Sequence, residues 1–130
     1  IGEESYLAGG LAATIPIARS IDAGNENNEV IMTKETGFRR GPESALAAVK
    51  ARYARYPKVY ELMKTRDQQY NETLDFLEEM EKEGKAFIIR PKRKSAVGRV
   101  EKDKRKLDAL YEEGYRDAEE CYLELLEYLS

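Results

Sequence analysis

A chain of 130 residues, 36% charged and 42% apolar with a net charge of −3, has the size and composition of one helix-rich globular domain able to bury a core. Its balanced charge gives no general attraction to nucleic acid or membranes, and no run approaches the roughly 18 apolar residues that cross a bilayer. With Cys121 as its one cysteine and no histidine, it excludes an internal disulfide, a Ser-His-Asp or Cys-His centre, and a histidine- or thiolate-built zinc site.

The expected elements follow in chain order. Residues 4–7 form a short candidate strand that ends at Gly9-Gly10. Pro16 suits the first turn of a helix, where its missing N–H costs nothing, and Gly24 suits the position just past that helix's end. After the polar turn 25–28, the apolar run 29–33 is most simply a buried parallel strand, completing a βαβ unit. A loop over 33–42 then carries Lys34, Arg39 and Arg40 among turn residues. It leaves the C-terminal end of its strand, the edge where open α/β sheets hold ligands. It reads either as a contact to an anionic substrate or a wall of the site, or, the favoured alternative, as an ordinary solvated loop.

Helical spacing dominates the rest. Leu46, Val49, Tyr53 and Tyr56 make one apolar stripe, and Pro57 breaks or restarts the helix. Val59, Leu62, Met63, Tyr70, Leu74, Leu77 and Met80 make a second, ending at Gly84; it is one helix of about 26 residues or two in line. Residues 86–89 read as a third parallel strand, closed by Arg90-Pro91. Leu107, Leu110 and Tyr111 before Gly114, then Tyr115 to Leu129, give a helical hairpin. The tyrosines on these stripes, Tyr53, Tyr56, Tyr70, Tyr111, Tyr115 and Tyr122, are assigned to packing. The expected fold is therefore α/β: a small parallel sheet of about three strands with helices packed on it and a C-terminal helical hairpin. It forms a single domain, 1–130, in which 1–91 is the βαβ-helix-β part and 92–130 a basic connector with the last helices.

Two segments stand out by charge. Residues 90–106 hold nine cations against Glu101 and Asp103, and residues 107–130 hold eight carboxylates against Arg116 alone. A basic run can meet nucleic acid or anionic lipid. Here the following acidic helix can neutralise it, and no aromatics interleave the cations, so a solvated face is expected and nucleic acid is not. None of Ser5, Ser20, Ser44, Ser95 and Ser130 lies in a G-x-S-x-G elbow, and Gly9-Gly10 opens no phosphate-binding G-x-G-x-x-G or G-x-x-x-x-G-K loop. No cofactor or metal is expected. The lone thiol fits a reducing compartment, so a cytoplasmic location is expected. The start at Ile1, without a methionine, reads as the edge of a piece of a longer protein.

The glycine turn belongs to a longer ordered series. It runs Tyr6-Leu7-x-Gly9-Gly10, Ile15-Pro16-Ile17, Ala23-Gly24, Val30-Ile31-Met32-Thr33-Lys34 and Gly37-Phe38-Arg39. Tyr56-Pro57, Arg66 with Tyr70-Asn71, Gly84-Lys85-x-Phe87-x-Ile89-x-Pro91, Glu101-Lys102-Asp103 and Tyr111-x-x-Gly114-Tyr115-x-Asp117-Ala118 follow. This series resembles the C-terminal portion of bacterial patatin-like phospholipases, over essentially the whole chain. The resemblance implies part of a three-layer α/β fold and a lipid acyl hydrolase with a Ser-Asp dyad, the aspartate coming from an Asp-Gly-Gly or Asp-Gly-Ala turn. It implies that the serine, its elbow and the oxyanion loop lie upstream. The dyad aspartate falls on Ala8, flanked by Gly9 and Gly10, and a second commonly polar position falls on Ala13.

A methyl group cannot accept the serine's proton. No catalytic residue is therefore expected, and the chain is read as an inactive part of a hydrolase. Its implied partners are the lipid or ester substrate of the full-length parent and the parent's own N-terminal segment, with self-association through exposed sheet surface. The alternative is an autonomous helical protein-interaction module without catalysis, suggested by the two-signed tail and its amphipathic end. A third reading attaches residues 90–106 to anionic membranes.

Overall fold

The computed structural model describes residues 6–98 and 100–130. Its elements are a 3₁₀ turn at Gly9–Leu11, α1 (Ile17–Asp22), β1 (Asn28–Ile31), α2 (Leu46–Arg52), α3 (Pro57–Lys82), β2 (Ala86–Ile89), α4 (Lys104–Glu120) and α5 (Tyr122–Tyr128). Five α-helices and a two-stranded parallel sheet make it a mixed α/β chain among the described residues.

The sheet has two strands where about three were expected. Of the first candidate strand, Glu4 and Ser5 lie outside the described residues, while Tyr6 and Leu7 are exposed and irregular. The strands expected near 29–33 and at 86–89 are β1 and β2. They pair directly in parallel, Asn28 opposite Ala86 through Ile31 opposite Ile89. The ladder continues where the Asn28 N–H donates to Lys85 O (3.1 Å) and the Met32 N–H to Ile89 O (2.8 Å). The chain between the strands carries α2 and α3, as a parallel pair requires a long crossover.

Chain contacts divide the molecule into two compact units, Ile1–Gly24 with Arg39–Glu79, and Asn25–Phe38 with Met80–Ser130. In the first, α1 starts after Pro16, whose ring presets the backbone angle, and stops before Gly24 at φ +90°. Only glycine adopts that left-handed angle without steric cost. Helix α3 is one unbroken helix of 26 residues, opened by Pro57. Tyr70, Leu74, Leu77 and Met80 are buried along its length at spacings of three and four. The stripe beginning at Leu46 gives only the short α2, which ends at Arg52, and Tyr56 stands exposed beyond it.

The second unit holds the sheet. Gly84 at φ +70° ends α3, its N–H bonding Glu81 O at 3.1 Å while the Lys85 N–H bonds Met80 O at 2.9 Å, the left-handed cap that satisfies a helix's last carbonyls. Tyr128 of α5 then ties the sheet to the C-terminus. Its hydroxyl accepts from the Asn28 N–H at 3.0 Å, and its ring lies 5.6 Å from that of Phe87. A two-stranded ribbon is marginal without such cover.

The expected hairpin at Gly114 does not form. Gly114 lies inside α4, and the break falls at Cys121. One linking residue is too few to reverse the chain between antiparallel helices, so α5 follows α4 without folding back on it. Asp103 caps α4, its carboxylate accepting the Arg105 N–H at 3.0 Å. Glu101 accepts the N–H groups of Lys102 (2.9 Å) and Asp103 (3.0 Å). Those two backbone donors, Asp103 first, and then Lys106 hold its carboxyl below the usual carboxylate range.

Candidate functional site: the glycine turn and its cavity

The glycine turn is a single 3₁₀ turn in the first unit. The Leu11 N–H donates to Ala8 O, and the N–H groups of Ala12 and Ala13 to Gly9 O, each at 3.0 Å. Ala8 opens the turn in an extended conformation, exposed, with no side-chain cap. Neither Gly9 nor Gly10 has a positive φ, and a Cβ on either would meet nothing within 4 Å. The pair therefore meets no conformational requirement in this fold.

Below the turn opens a cavity of about 580 Å³. Its apolar wall is Leu11, Ile15, Ile17 and Phe76, its polar rim includes Arg19 and Arg66 with Asp22 and Glu72, and Ala13 and Tyr70 line it too. Ala8 is not among the lining residues. Both positions matched to polar residues by resemblance thus carry methyl groups, one on the surface and one facing the cavity.

Helix α3 fastens this region. Arg66 Nη2 donates to Gly10 O at 3.0 Å, and the same carbonyl accepts the Thr14 hydroxyl at 3.1 Å. Arg66 Nη1 lies 4.0 Å from Glu43, whose carboxylate also pairs with Arg40 at 3.1 Å. The Arg66 Nε is buried and has no partner. Asn71 closes a two-bond ring on Arg40: the Arg40 N–H donates to Oδ1 at 2.8 Å and Nδ2 donates to Arg40 O at 3.0 Å. Arg39 donates to the Asn71 carbonyl at 3.3 Å and pairs with Asp75 and Glu78. The cations of the 33–42 loop near α3 are therefore matched to carboxylates of their own unit.

Burial pushes the Tyr70 phenol above its ordinary value of 10.0, opposed in part by the Arg40 cation. The folded protein then holds this proton more tightly than the unfolded chain. That stabilisation is present at neutral pH and is lost as pH rises through the folded-state value. Alkaline titration followed by circular dichroism is expected to show unfolding above pH 10, with its midpoint moved upward in Tyr70→Phe. An unmoved midpoint would assign the alkaline transition to other groups.

Residues 90–106 are partly neutralised within the second unit. Arg90 pairs with Glu81 at 3.2 Å, Lys106 with Glu101 at 3.3 Å, and Lys92 with Glu120, while Asp117 accepts the Lys92 N–H at 3.1 Å. Among the described residues no group of three or more His, Cys, Asp or Glu side chains could hold a metal, and no helix is long and apolar enough to cross a membrane.

A mixed α/β chain with a helix-fastened glycine turn, an adjacent cavity and no proton-transfer group at the turn is the class of molecule these features define. The chain belongs to the family described as a domain of unknown function, DUF6363, whose profile matches residues 56–130. That stretch runs from the start of α3 to the C-terminus and leaves the glycine turn outside the match. No curated protein and no solved structure matches the chain.

The sequence places Arg66, Tyr70 and Asn71 in one motif, with Tyr70 assigned to packing and the other two given no role. That Arg66 fastens the glycine turn and Asn71 the Arg40 backbone emerges only from the fold. A readable signal was present for Arg66: a cation standing three residues after Met63 and four before Tyr70 on the apolar stripe of α3.

Proposed function

We propose that this chain is the C-terminal part of a patatin-like lipid acyl hydrolase, acting in the cytoplasm, and that these 130 residues have no catalysis of their own. The observation that carries the reading is the ordered motif series, reinforced by how its separate pieces meet. Arg66 joins the Gly9-Gly10 piece to α3, and Arg39, the last residue of the Gly37-Phe38-Arg39 piece, donates to the Asn71 carbonyl of the same helix. In such an enzyme the serine comes from upstream, and a carboxylate at the glycine turn accepts its proton. Ala8 cannot do so. The apolar wall of the cavity suits the hydrocarbon part of a lipid or ester substrate, and its rim carries cations for a polar head.

The 130-residue chain is expected to hydrolyse a short-chain aryl ester no faster than buffer, and Ala8→Asp alone is expected to restore nothing. Turnover that a serine-directed inhibitor abolishes would sink the reading. So would a full-length gene product whose residues preceding Ile1 lack a G-x-S-x-G elbow.

A second reading, an autonomous helical interaction module without catalysis, draws on the apolar residues left exposed along α4 and α5.

A further inference from the structure

The tyrosines expected to pack do not all do so. Tyr70 is buried, but Tyr111, Tyr115 and Tyr122 are 69%, 55% and 56% exposed, and neither α4 nor α5 buries a single residue. Together with Leu107, Leu126 and Leu129, also exposed, they lie along one stripe of the two helices at three- and four-residue steps, with the small Ala118 filling the place between Tyr115 and Tyr122. The helices attach to their own unit by a different face, through Asp117, which accepts the Lys92 N–H, and Tyr128, which meets Asn28 and Phe87. The described residues of its own unit therefore leave the stripe uncovered.

We propose that the occupant of this stripe is a second copy of the chain, with α4 and α5 of the two copies running antiparallel about a two-fold axis near Tyr115. The charge order along the helices selects this partner. Lys104, Arg105 and Lys106 open α4, Lys106 already sharing Glu101, whereas Glu119, Glu124 and Glu127, with Glu120 already sharing Lys92, stand at the far end of the pair. Parallel copies would stack like on like. Antiparallel copies bring each basic end to the other's acidic end, the self-complementarity that a two-fold interface needs. The same axis sets Tyr111 opposite the small Ala118, and Leu107 opposite Tyr122. An anionic membrane would meet the carboxylates that flank the stripe, so a lipid surface fits it poorly.

The test uses the whole 130-residue chain in sedimentation equilibrium, with disulfide trapping in a Cys121→Ser background. A saturable monomer–dimer equilibrium is expected, weakened about tenfold or more by Tyr115→Asp. Reversing Lys104, Arg105 and Lys106 to Glu, or Glu120, Glu124 and Glu127 to Lys, is expected to abolish self-association, and mixing the two variants to restore it. Tyr115→Cys should cross-link to itself, while Leu107→Cys and Tyr122→Cys should cross-link to each other but not to themselves. Monomer at every concentration overturns the proposal. So does self-cross-linking at all three positions, which marks a parallel pair, or association that Tyr115→Asp leaves intact. Vesicle binding through the stripe by a chain that stays monomeric overturns it as well.

Discussion

Leu77→Ala is expected to lower folding stability by about 2–5 kcal/mol, the range for removing a buried leucine side chain whose surroundings relax only in part. Leu77 is 1% exposed, the most deeply buried large side chain described. It lies between Leu74 and Met80 on the buried face of α3. The described buried apolar side chains of its unit are few: Ile17, Tyr70, Leu74 and Leu77 itself. A domain of this size has on the order of 5–15 kcal/mol in total, so the substitution removes a large fraction of it. At about 3–5 °C per kcal/mol for a chain of this length, the melting midpoint should fall by roughly 6–25 °C. Leu123→Ala, at a position 74% exposed, should stay within about 0.5 kcal/mol. Urea unfolding of both variants decides the matter. A cost for Leu77→Ala close to that of Leu123→Ala would show that this face of α3 is not the core.

The contrast between those leucines also shows what the amino-acid order can disclose. Apolar spacing, Pro57 and Gly84 locate α3 because each signal acts within a turn or two of the backbone it shapes. Pro16 and Gly24 bound α1 for the same reason, and β2 lies where its apolar run stands. Gly114 misleads, because a glycine inside a helix costs only about 1 kcal/mol, too little to end a helix by itself. Periodicity names a face without saying whether anything covers it. Tyr70 and Tyr111 share the same spacing logic, yet one is buried and the other exposed. The contacts that assemble the glycine-turn region join residues far apart in the chain, as does Tyr128 to Asn28 across 100 positions. No local pattern encodes them. Ala8 is the reverse case: its lack of an acid–base group is plain from the sequence, and the fold adds that it stands exposed, apart from the cavity lining.

Asn71→Ala is expected to cost about 2–3 kcal/mol, since it removes two half-buried hydrogen bonds and strands both backbone groups of Arg40. No simple replacement reproduces the pair. Leucine offers neither bond, and an ionised aspartate accepts the Arg40 N–H at the price of facing its carbonyl with a charge. The nearby ion pairs of Arg39 with Asp75 and Glu78 involve exposed groups and contribute too little to compensate. The damage should therefore be local as well as global. Limited trypsin digestion under native conditions should cut after Arg39 or Arg40 faster in Asn71→Ala, by more than the loss in the urea midpoint accounts for, because that segment would open without unfolding the rest. Gln68→Ala removes an exposed bond to Glu72 one turn along the same helix and should change neither measurement by more than about 0.5 kcal/mol. A lower urea midpoint with unchanged cleavage would make Asn71 a support of the whole fold rather than of the loop. If neither measurement moved, the Arg40 ring would carry no weight, and the basic loop would be held by its ion pairs alone.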